Sequence, residues 1–201
     1  MISVAEARSR VLAALSPLPA ELVGLTEALG RVTAEDVTAR LTQPPVSMSA
    51  MDGYAVRCAD VAQVPAKLRR IGEAPAGNAF KGHVGPGEAV RIFTGAPMPD
   101  GADAVVMQED TESDGATVTV LRTVGRHRHV RLAGIDFRRG EVGIPAGRML
   151  TARDVGLAAA MNWPWLRVRR RPRVAILATG DEIVLPGEPL GPDQIVSSNA
   201  F

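Results

Sequence analysis

The sequence predicts an α+β protein in which a mostly β domain is inserted into a small helical/β domain, followed by the truncated start of an α/β domain. Three observations predict this class. Amphipathic helical segments lie near both ends of a long central region, that region alternates short β-prone runs with Gly and Pro, and a continuous apolar run follows the second helix. The predicted domains are, in chain order, residues 1–43 together with 141–172, then 44–140, then 173–201.

The N-terminal helix is predicted from a capping signal and an apolar stripe. Ser3, with Glu6 three positions later, forms a capping-box pattern. The residues that share the apolar face are Val4, Ala7, Val11, Leu12 and Leu15. Pro17 ends this helix, a short helix is expected at residues 26–29, and an extended stretch at 32–41 leads into a Pro-Pro linker.

The central region is predicted to be a compact, mostly antiparallel β domain. Its β-prone runs lie at residues 89–93, 104–107 and 117–121, each bounded by turn residues. Beyond this region, Thr151 and Asp154 form a second capping box that opens the second helix.

The last segment has the pattern of an open parallel sheet. Residues 173–178 form the kind of apolar run that is buried in such a sheet, and the turn at 179–182 lies where ligands of these sheets bind. The helix N-cap pair Ser198-Asn199 is followed by only two residues, so no crossover helix completes the unit. We expect that the chain is cut just inside a further domain or that its gene is truncated.

Composition excludes several functional classes. The 201 residues carry a net charge of +1, and aromatic residues make up 3%, which argues against nucleic acid as a partner. The single cysteine cannot form an intrachain disulfide, and no apolar run reaches the roughly 20 residues that span a bilayer. We therefore expect a protein of the cytoplasm without a membrane partner.

Three glycine corners carry the functional signal. They lie at residues 49–57, 91–97 and 178–182, and each sets an acid or hydroxyl beside a glycine next to an apolar strand. Such corners indicate a site for anions or metal ions. Each also has an ordinary structural interpretation: Asp52 as an Asx turn, Thr94 as turn chemistry, and the acidic pair of the third corner as a cap.

Four groups of motifs carry a resemblance to a known family. They are Ser49–Arg57, Arg91–Pro97, Gly101–Glu109, and Val174–Glu182 with Gln194-Ile195-Val196. In this order they closely resemble the N-terminal half of the MoeA family of molybdopterin molybdenumtransferases, which is also represented by the gephyrin E domain. The resemblance implies a homodimeric enzyme that inserts molybdate into adenylylated molybdopterin and releases AMP and molybdenum cofactor, with Mg²⁺ required. It also implies that the last segment begins a molybdopterin-binding-like domain, and that the cleft lies between the β domain of one subunit and the α/β domain of the other.

The resemblance implies roles for eight residues. The implied catalytic residues are Asp52, Thr94, Asp136 and Glu182; the substrate-binding residues are Ser49, Gly53, Gly95 and Arg131; and the metal ligands are Asp52, Asp136 and Glu182. These residue types suit the chemistry, because molybdate and a pyrophosphate are anions that need a hard cation held by carboxylates.

Two of these assignments have alternatives. Asp136 follows Ile135, where many relatives carry an acid, so binding of the metal through water stays open beside direct ligation. Arg131 ends a basic run at residues 126–131, which either attracts a substrate phosphate or is a solvated face.

Two functional classes follow. The first is the N-terminal part of the transferase, expected to be inactive alone because the family's pterin-binding loop would lie beyond Phe201. The second is a non-catalytic dimerisation or assembly module that contacts other proteins of the cofactor pathway.

Overall fold

The computed structural model describes residues 2–198, which are mostly β-structure with few helices. Within these residues the helices are α1 (Val4–Ala13) and α2 (Ala152–Ala160). The strands are β1 (Ala20–Gly24), β2 (Val37–Thr38), β3 (Met48–Ser49), β4 (Gly53–Val56), β5 (Ala66–Ala74), β6 (Glu88–Ile92), β7 (Ala104–Met107), β8 (Thr111–Ser113), β9 (Thr117–Val120), β10 (Val130–Arg131), β11 (Val142–Ile144), β12 (Trp165–Arg169), β13 (Ile183–Val184) and β14 (Ile195–Val196). Short 3-10 turns lie at Leu25–Glu27, Cys58–Val61 and Gln108–Asp110.

The N-terminal helix forms where its capping signal predicts. The Ser3 hydroxyl accepts the N–H of Glu6 at 3.1 Å, and the Glu6 carboxylate pairs with Arg10 one turn further on. No residue of α1 is buried, and its apolar stripe is exposed. The short helix predicted at residues 26–29 is a 3-10 turn, Leu25–Glu27.

The second helix has a complete capping box. The Thr151 hydroxyl accepts the N–H of Asp154, and the Asp154 carboxylate accepts the Thr151 N–H at 2.8 Å. Asp154 is buried and also accepts a hydrogen bond from Arg148. The Thr151 hydroxyl and N–H, together with Arg148, lower the pKa of Asp154 despite its burial, so this carboxylate is ionised at neutral pH.

The largest sheet of the described residues has six strands, in the order β7-β4-β6-β5-β9-β8. Only β5 and β6 run parallel in this sheet, and every other neighbouring pair is antiparallel. The predicted β-prone runs correspond to β6, β7 and β9, which confirms the prediction of a mostly antiparallel sheet.

The strand β4 is covered on both faces. Tyr54 and Val56 belong to one apolar cluster, and Ala55 belongs to the cluster on the other face, with Val90 and Val105. All four residues of β4 are buried, which fits its position between β6 and β7. The neighbouring strands β6 and β7 therefore hold β4 in place, and with it Asp52, which directly precedes β4.

A third apolar cluster uses chain segments outside this sheet. Its buried residues come from positions 23–39 and 144–168, and the largest fully buried side chains among them are Ile144, Leu150, Met161 and Leu166. The two-stranded pairs are β1-β12, β10-β3, β11-β2 and β13-β14.

Contacts divide the chain into two compact units. Residues 22–168 form one unit, and residues 2–21 with 169–198 belong to the other. The domain boundaries expected from the sequence, including the insertion at residue 44 and the α/β segment from 173, stay predictions.

The C-terminal segment differs from its sequence-based expectation. Within the described residues, 173–178 form no strand, and the side chains of Val174, Ile176 and Leu177 are exposed. A strand needs a neighbour for its N–H and C=O groups, and none of the described strands pairs with this segment. The parallel pair β13-β14 lies after it, and Asn199 of the expected helix cap lies outside the described residues.

Candidate functional site

Two of the glycine corners meet because of the sheet order. The strands β4 and β6 are antiparallel, with Gly53 opposite Ile92. Asp52 directly precedes β4, and Thr94 lies two residues beyond the end of β6. This pairing brings together side chains that are 42 positions apart in the sequence.

Thr94 holds the Asp52 carboxylate with two hydrogen bonds. The backbone N–H and the hydroxyl of Thr94 both donate to Oδ1 of Asp52, each at 2.8 Å. These two bonds, in that order, lower the pKa of Asp52; desolvation opposes them, and Arg91 adds the smallest effect, an electrostatic one that also lowers the pKa. Asp52 is exposed and ionised, and no hydrogen bond from residues 2–198 reaches its second oxygen.

Arg91 supports the same corner and was not identified from the sequence. Its guanidinium donates to the carbonyl of Gly53 at 3.1 Å and to the side chain of Gln108 at 2.6 Å. The backbone N–H of Gln108 in turn donates to the carbonyl of Asp52 at 3.1 Å. Arg91 therefore connects the Gly53 carbonyl to Gln108, the residue whose N–H binds the Asp52 carbonyl. In the sequence, the only sign of this role is a charged residue, Arg91, within an apolar β-prone run, and that sign is weak.

The Ser49 and Gly95 backbones close a turn beside this pair. The N–H of Gly95 donates to the carbonyl of Ser49 at 2.9 Å, and the φ angle of Gly95 is 81°, a left-handed conformation that favours glycine. The Ser49 hydroxyl is buried and donates to the carbonyl of Met51 at 2.6 Å. Both groups have internal partners, and their predicted roles in substrate binding stay predictions.

Arg131 and Asp136 form an ion pair next to that turn. One guanidinium nitrogen of Arg131 lies 2.8 Å and 2.7 Å from the two oxygens of Asp136. The pairing of β10 with β3 places Arg131 opposite Met48 and so beside Ser49. The pair is partly exposed, at 53% and 39% of the side-chain surfaces, so solvent and ligands reach both groups.

These residues line one cleft with a volume of about 480 Å³. The lining residues are Gln43, Pro44, Met48, Ser49, Ala50, Thr94, Gly95, Arg131 and Asp136. Five of the eight residues chosen from the sequence are in this lining. Asp52 does not line the cleft itself, but it binds Thr94, which does.

Gly53 and Glu182 do not line this cleft. Gly53 starts the buried strand β4, and the position of a Cβ there would overlap the carbonyl oxygen of Val106. Packing against Val106 therefore explains why this position is a glycine. The role of Gly53 in binding an oxyanion stays a prediction. Glu182 belongs to the unit that includes residues 169–198, its side chain is exposed, and its backbone carbonyl accepts the N–H of Ile195.

The carboxylates fit magnesium only as part of a larger ligand set. Across residues 2–198 no group of three His, Cys, Asp or Glu side chains is arranged to hold a metal ion. Magnesium commonly takes one or two carboxylates and completes its shell with water and substrate oxygens. The free oxygen of Asp52 fits this requirement, whereas the Asp136 carboxylate is already engaged by Arg131.

The fold and cleft define a β-rich protein that presents an ionised, fixed carboxylate and an arginine beside a polar cleft. A family model for the MoeA N-terminal region (domain I and II) matches residues 2–162, so the chain belongs to that family.

Full-length relatives agree with this assignment. The chain is 45% identical to the molybdopterin molybdenumtransferase of Nostoc sp. (strain PCC 7120), over 90% of this chain and 42% of that protein. It is 37% identical to that of Haemophilus influenzae, over 100% of this chain and 50% of the relative. The crystal structure of the molybdopterin biosynthesis MoeA protein from Pyrococcus horikoshii OT3 matches with a TM-score of 0.91 at 35% identity, covering 99% of this chain and 54% of that one. The chain therefore spans about half the length of these relatives.

Proposed function

We propose that this chain supplies the β-domain part of the site at which molybdate is inserted into adenylylated molybdopterin, giving molybdenum cofactor and AMP. The observation that supports this most is the Asp52–Thr94 pair beside a cleft lined by Arg131. The names of the relatives support the proposal, since both are molybdopterin molybdenumtransferases.

Asp52 and Thr94 have different roles beside the cleft. Asp52 presents its free oxygen as a ligand for Mg²⁺, and Thr94 holds the carboxylate in one orientation and keeps it ionised. Bound Mg²⁺ would neutralise the negative charge of the phosphate and molybdate oxygens. In the structure the Thr94 hydroxyl donates its hydrogen bond to Asp52. The family resemblance implies a hydrogen bond from this hydroxyl to a substrate anion, and forming it would require the hydroxyl to rotate.

Arg131 and Asp136 act as a second polar element of the cleft. The guanidinium is the cation of the lining and attracts an anionic substrate, while Asp136 orients it. With this partner in place, Asp136 reaches a metal most readily through a water molecule. Glu182 contributes a carboxylate from the C-terminal segment of the other subunit in a homodimer.

The exposed stripe of α1 supports dimer formation. Val4 is 87% exposed and Val11 61%, on a helix without any buried residue. Apolar side chains on one helix face favour burial against another surface. The same stripe supports the second candidate function, a non-catalytic assembly module that binds other proteins of the cofactor pathway.

The localisation proposed for this function is the cytoplasm. Neither α1 nor α2, the helices of residues 2–198, has the length and hydropathy needed to cross a bilayer.

The test uses a chimera in which this chain replaces the matching half of the Nostoc relative. The chimera is expected to form molybdenum cofactor from adenylylated molybdopterin and molybdate with Mg²⁺, whereas the chain alone is expected to give no turnover. Asp52→Asn should abolish turnover while the dimer, measured by light scattering, persists. Full turnover by Asp52→Asn would contradict the proposed role of Asp52 and favour the second candidate function, the assembly module.

A direct metal measurement complements the activity assay. Mn²⁺, added as a paramagnetic substitute for Mg²⁺, is expected to broaden the NMR signals of residues 52 and 94 in this chain. Asp52→Asn should remove that broadening, and Asp110→Asn, a change at a partly buried carboxylate outside the cleft, should preserve it. Equal broadening in both variants would exclude Asp52 as the metal ligand.

A further inference from the structure

The basic run at residues 126–131 does not act as one patch. Arg126 Nε lies 3.6 Å from an oxygen of Asp103, and Arg131 is bound to Asp136. Arg128 is different: its guanidinium forms no ion pair or hydrogen bond within residues 2–198. The structure therefore leaves one cation of the run without a protein partner.

Arg128 lines a cleft that is separate from the one described above. This second cleft has a volume of about 300 Å³, and no residue lines both. Arg122 and His129 lie in the same lining, with the loop at residues 123–125 between the two arginines in sequence. Arg122 lies 3.9 Å from Asp110, beyond hydrogen-bond distance, so its guanidinium retains donors for a ligand.

The loop adds backbone donors. The N–H groups of residues 123, 124 and 125 donate to no other group in the described part of the chain. Consecutive free N–H groups next to guanidinium groups are the donors that phosphate oxygens accept from. The two arginines of the lining outnumber its single acid, Asp110, so the lining favours an anion.

The wall of this cleft is held firmly. The Nδ1 atom of His129 lies 3.1 Å from the carbonyl of Val105 in β7, and the backbone carbonyl of Arg128 accepts the N–H of Val105 at 3.1 Å. The side chains of both residues therefore extend from a backbone that is anchored to the edge of the six-stranded sheet. A site on an anchored segment needs little reorganisation when it binds.

We propose that the cleft formed by Arg122, residues 123–125, Arg128 and His129 binds a small phosphate-bearing anion, either inorganic phosphate or a phosphate monoester. The assignment does not depend on the transferase reaction.

The test is an NMR titration of this chain with inorganic phosphate at constant ionic strength, balanced with sodium chloride. Saturable shifts are expected at residues 122–129, with a dissociation constant on the order of millimolar, because the donors are solvent-exposed. Arg128→Gln and Arg122→Gln should each weaken binding about fivefold. Asp110→Asn, which removes the one negative charge of the lining, should tighten it about two- to threefold.

Arg153→Gln is the matched control, because Arg153 is exposed on α2 and also lacks a partner within residues 2–198. Its affinity for phosphate should equal that of the unaltered chain. Shifts that do not saturate, or equal weakening by Arg153→Gln, would overturn the proposal, as would an Asp110→Asn variant that binds no tighter. Shifts confined to residues 94–95 and 131 would instead locate the anion in the first cleft and would also overturn it.

Discussion

Thr94 donates both its backbone N–H and its hydroxyl to a single oxygen of Asp52, at 2.8 Å each, and leaves the second oxygen without a protein donor. Two donors on one oxygen fix the plane of a carboxylate more firmly than one does, and they favour its charged form. The contact thus gives an exposed acid a defined direction and a constant charge.

The first prediction concerns the charge of Asp52. Thr94→Val removes the hydroxyl bond but keeps the backbone bond, so the lowered pKa of Asp52 should rise part of the way toward its ordinary value of 3.8. Thr94→Ser keeps both donors and should leave the pKa unchanged. The measurement is an NMR titration of the Asp52 carboxyl carbon. A pKa that is the same in all three proteins would show that the hydroxyl bond is absent in solution.

The second prediction applies the same pair of variants to turnover. In the chimera with the Nostoc relative, Thr94→Val should reduce cofactor formation about 10- to 100-fold, the usual cost of losing a group that orients a metal ligand. Thr94→Ser should stay within a few-fold of the parent. If the serine variant is as impaired as the valine variant, the methyl group of Thr94 and not its hydroxyl is what the site requires.

The third prediction concerns the packing of β4. Gly53→Ala places a methyl group on the carbonyl oxygen of Val106 in β7, and both are backbone positions in a covered sheet. We expect a loss of about 1–3 kcal/mol or more in the free energy of unfolding, measured with urea, because the strands must separate.

Gly156→Ala is the control for that substitution. Gly156 lies within α2, and a Cβ there would contact nothing within 4 Å. This variant should gain about 0.5–1 kcal/mol, because alanine favours a helix over glycine. Equal stability of the two variants would show that β4 and β7 are less closely packed than the structure indicates.

Local signals in the sequence predicted what local chemistry decides. The capping residues Ser3 and Thr151 define real helix starts, and the run at 104–107 is a real strand. At the two helix starts, a short motif contains the groups that form the capping bonds. The contact between the first two glycine corners, in contrast, depends on the pairing of β4 with β6.

Partners that are distant in sequence were not predictable. No local pattern shows that Arg131 binds Asp136, or that Gly53 is required by the Val106 carbonyl, because both depend on how strands pair. The apolar run at 173–178 has the composition of a buried strand, but composition does not supply the neighbouring strand that would cover it.

The fourth prediction concerns the pH dependence of stability at α2. Asp154 is buried, caps the helix through Thr151 and binds Arg148, and its pKa is lowered below 3.8. A carboxyl whose pKa falls on folding stabilises the folded state above its unfolded pKa, and that contribution disappears as the pH drops through the folded value. Asp154→Asn should therefore cost about 1–2 kcal/mol at neutral pH, the typical effect of a lost cap. The difference from the unaltered chain should shrink as the pH falls below 4, because the parent then loses the same charge.

Urea unfolding of both proteins across this pH range measures the difference in the free energy of unfolding. Arg153→Gln, a change at the exposed neighbouring residue, is the control and should show no such convergence. A difference that stays constant down to the lowest pH at which both proteins fold would mean that the shape of the Asp154 side chain, and not its charge, stabilises the helix.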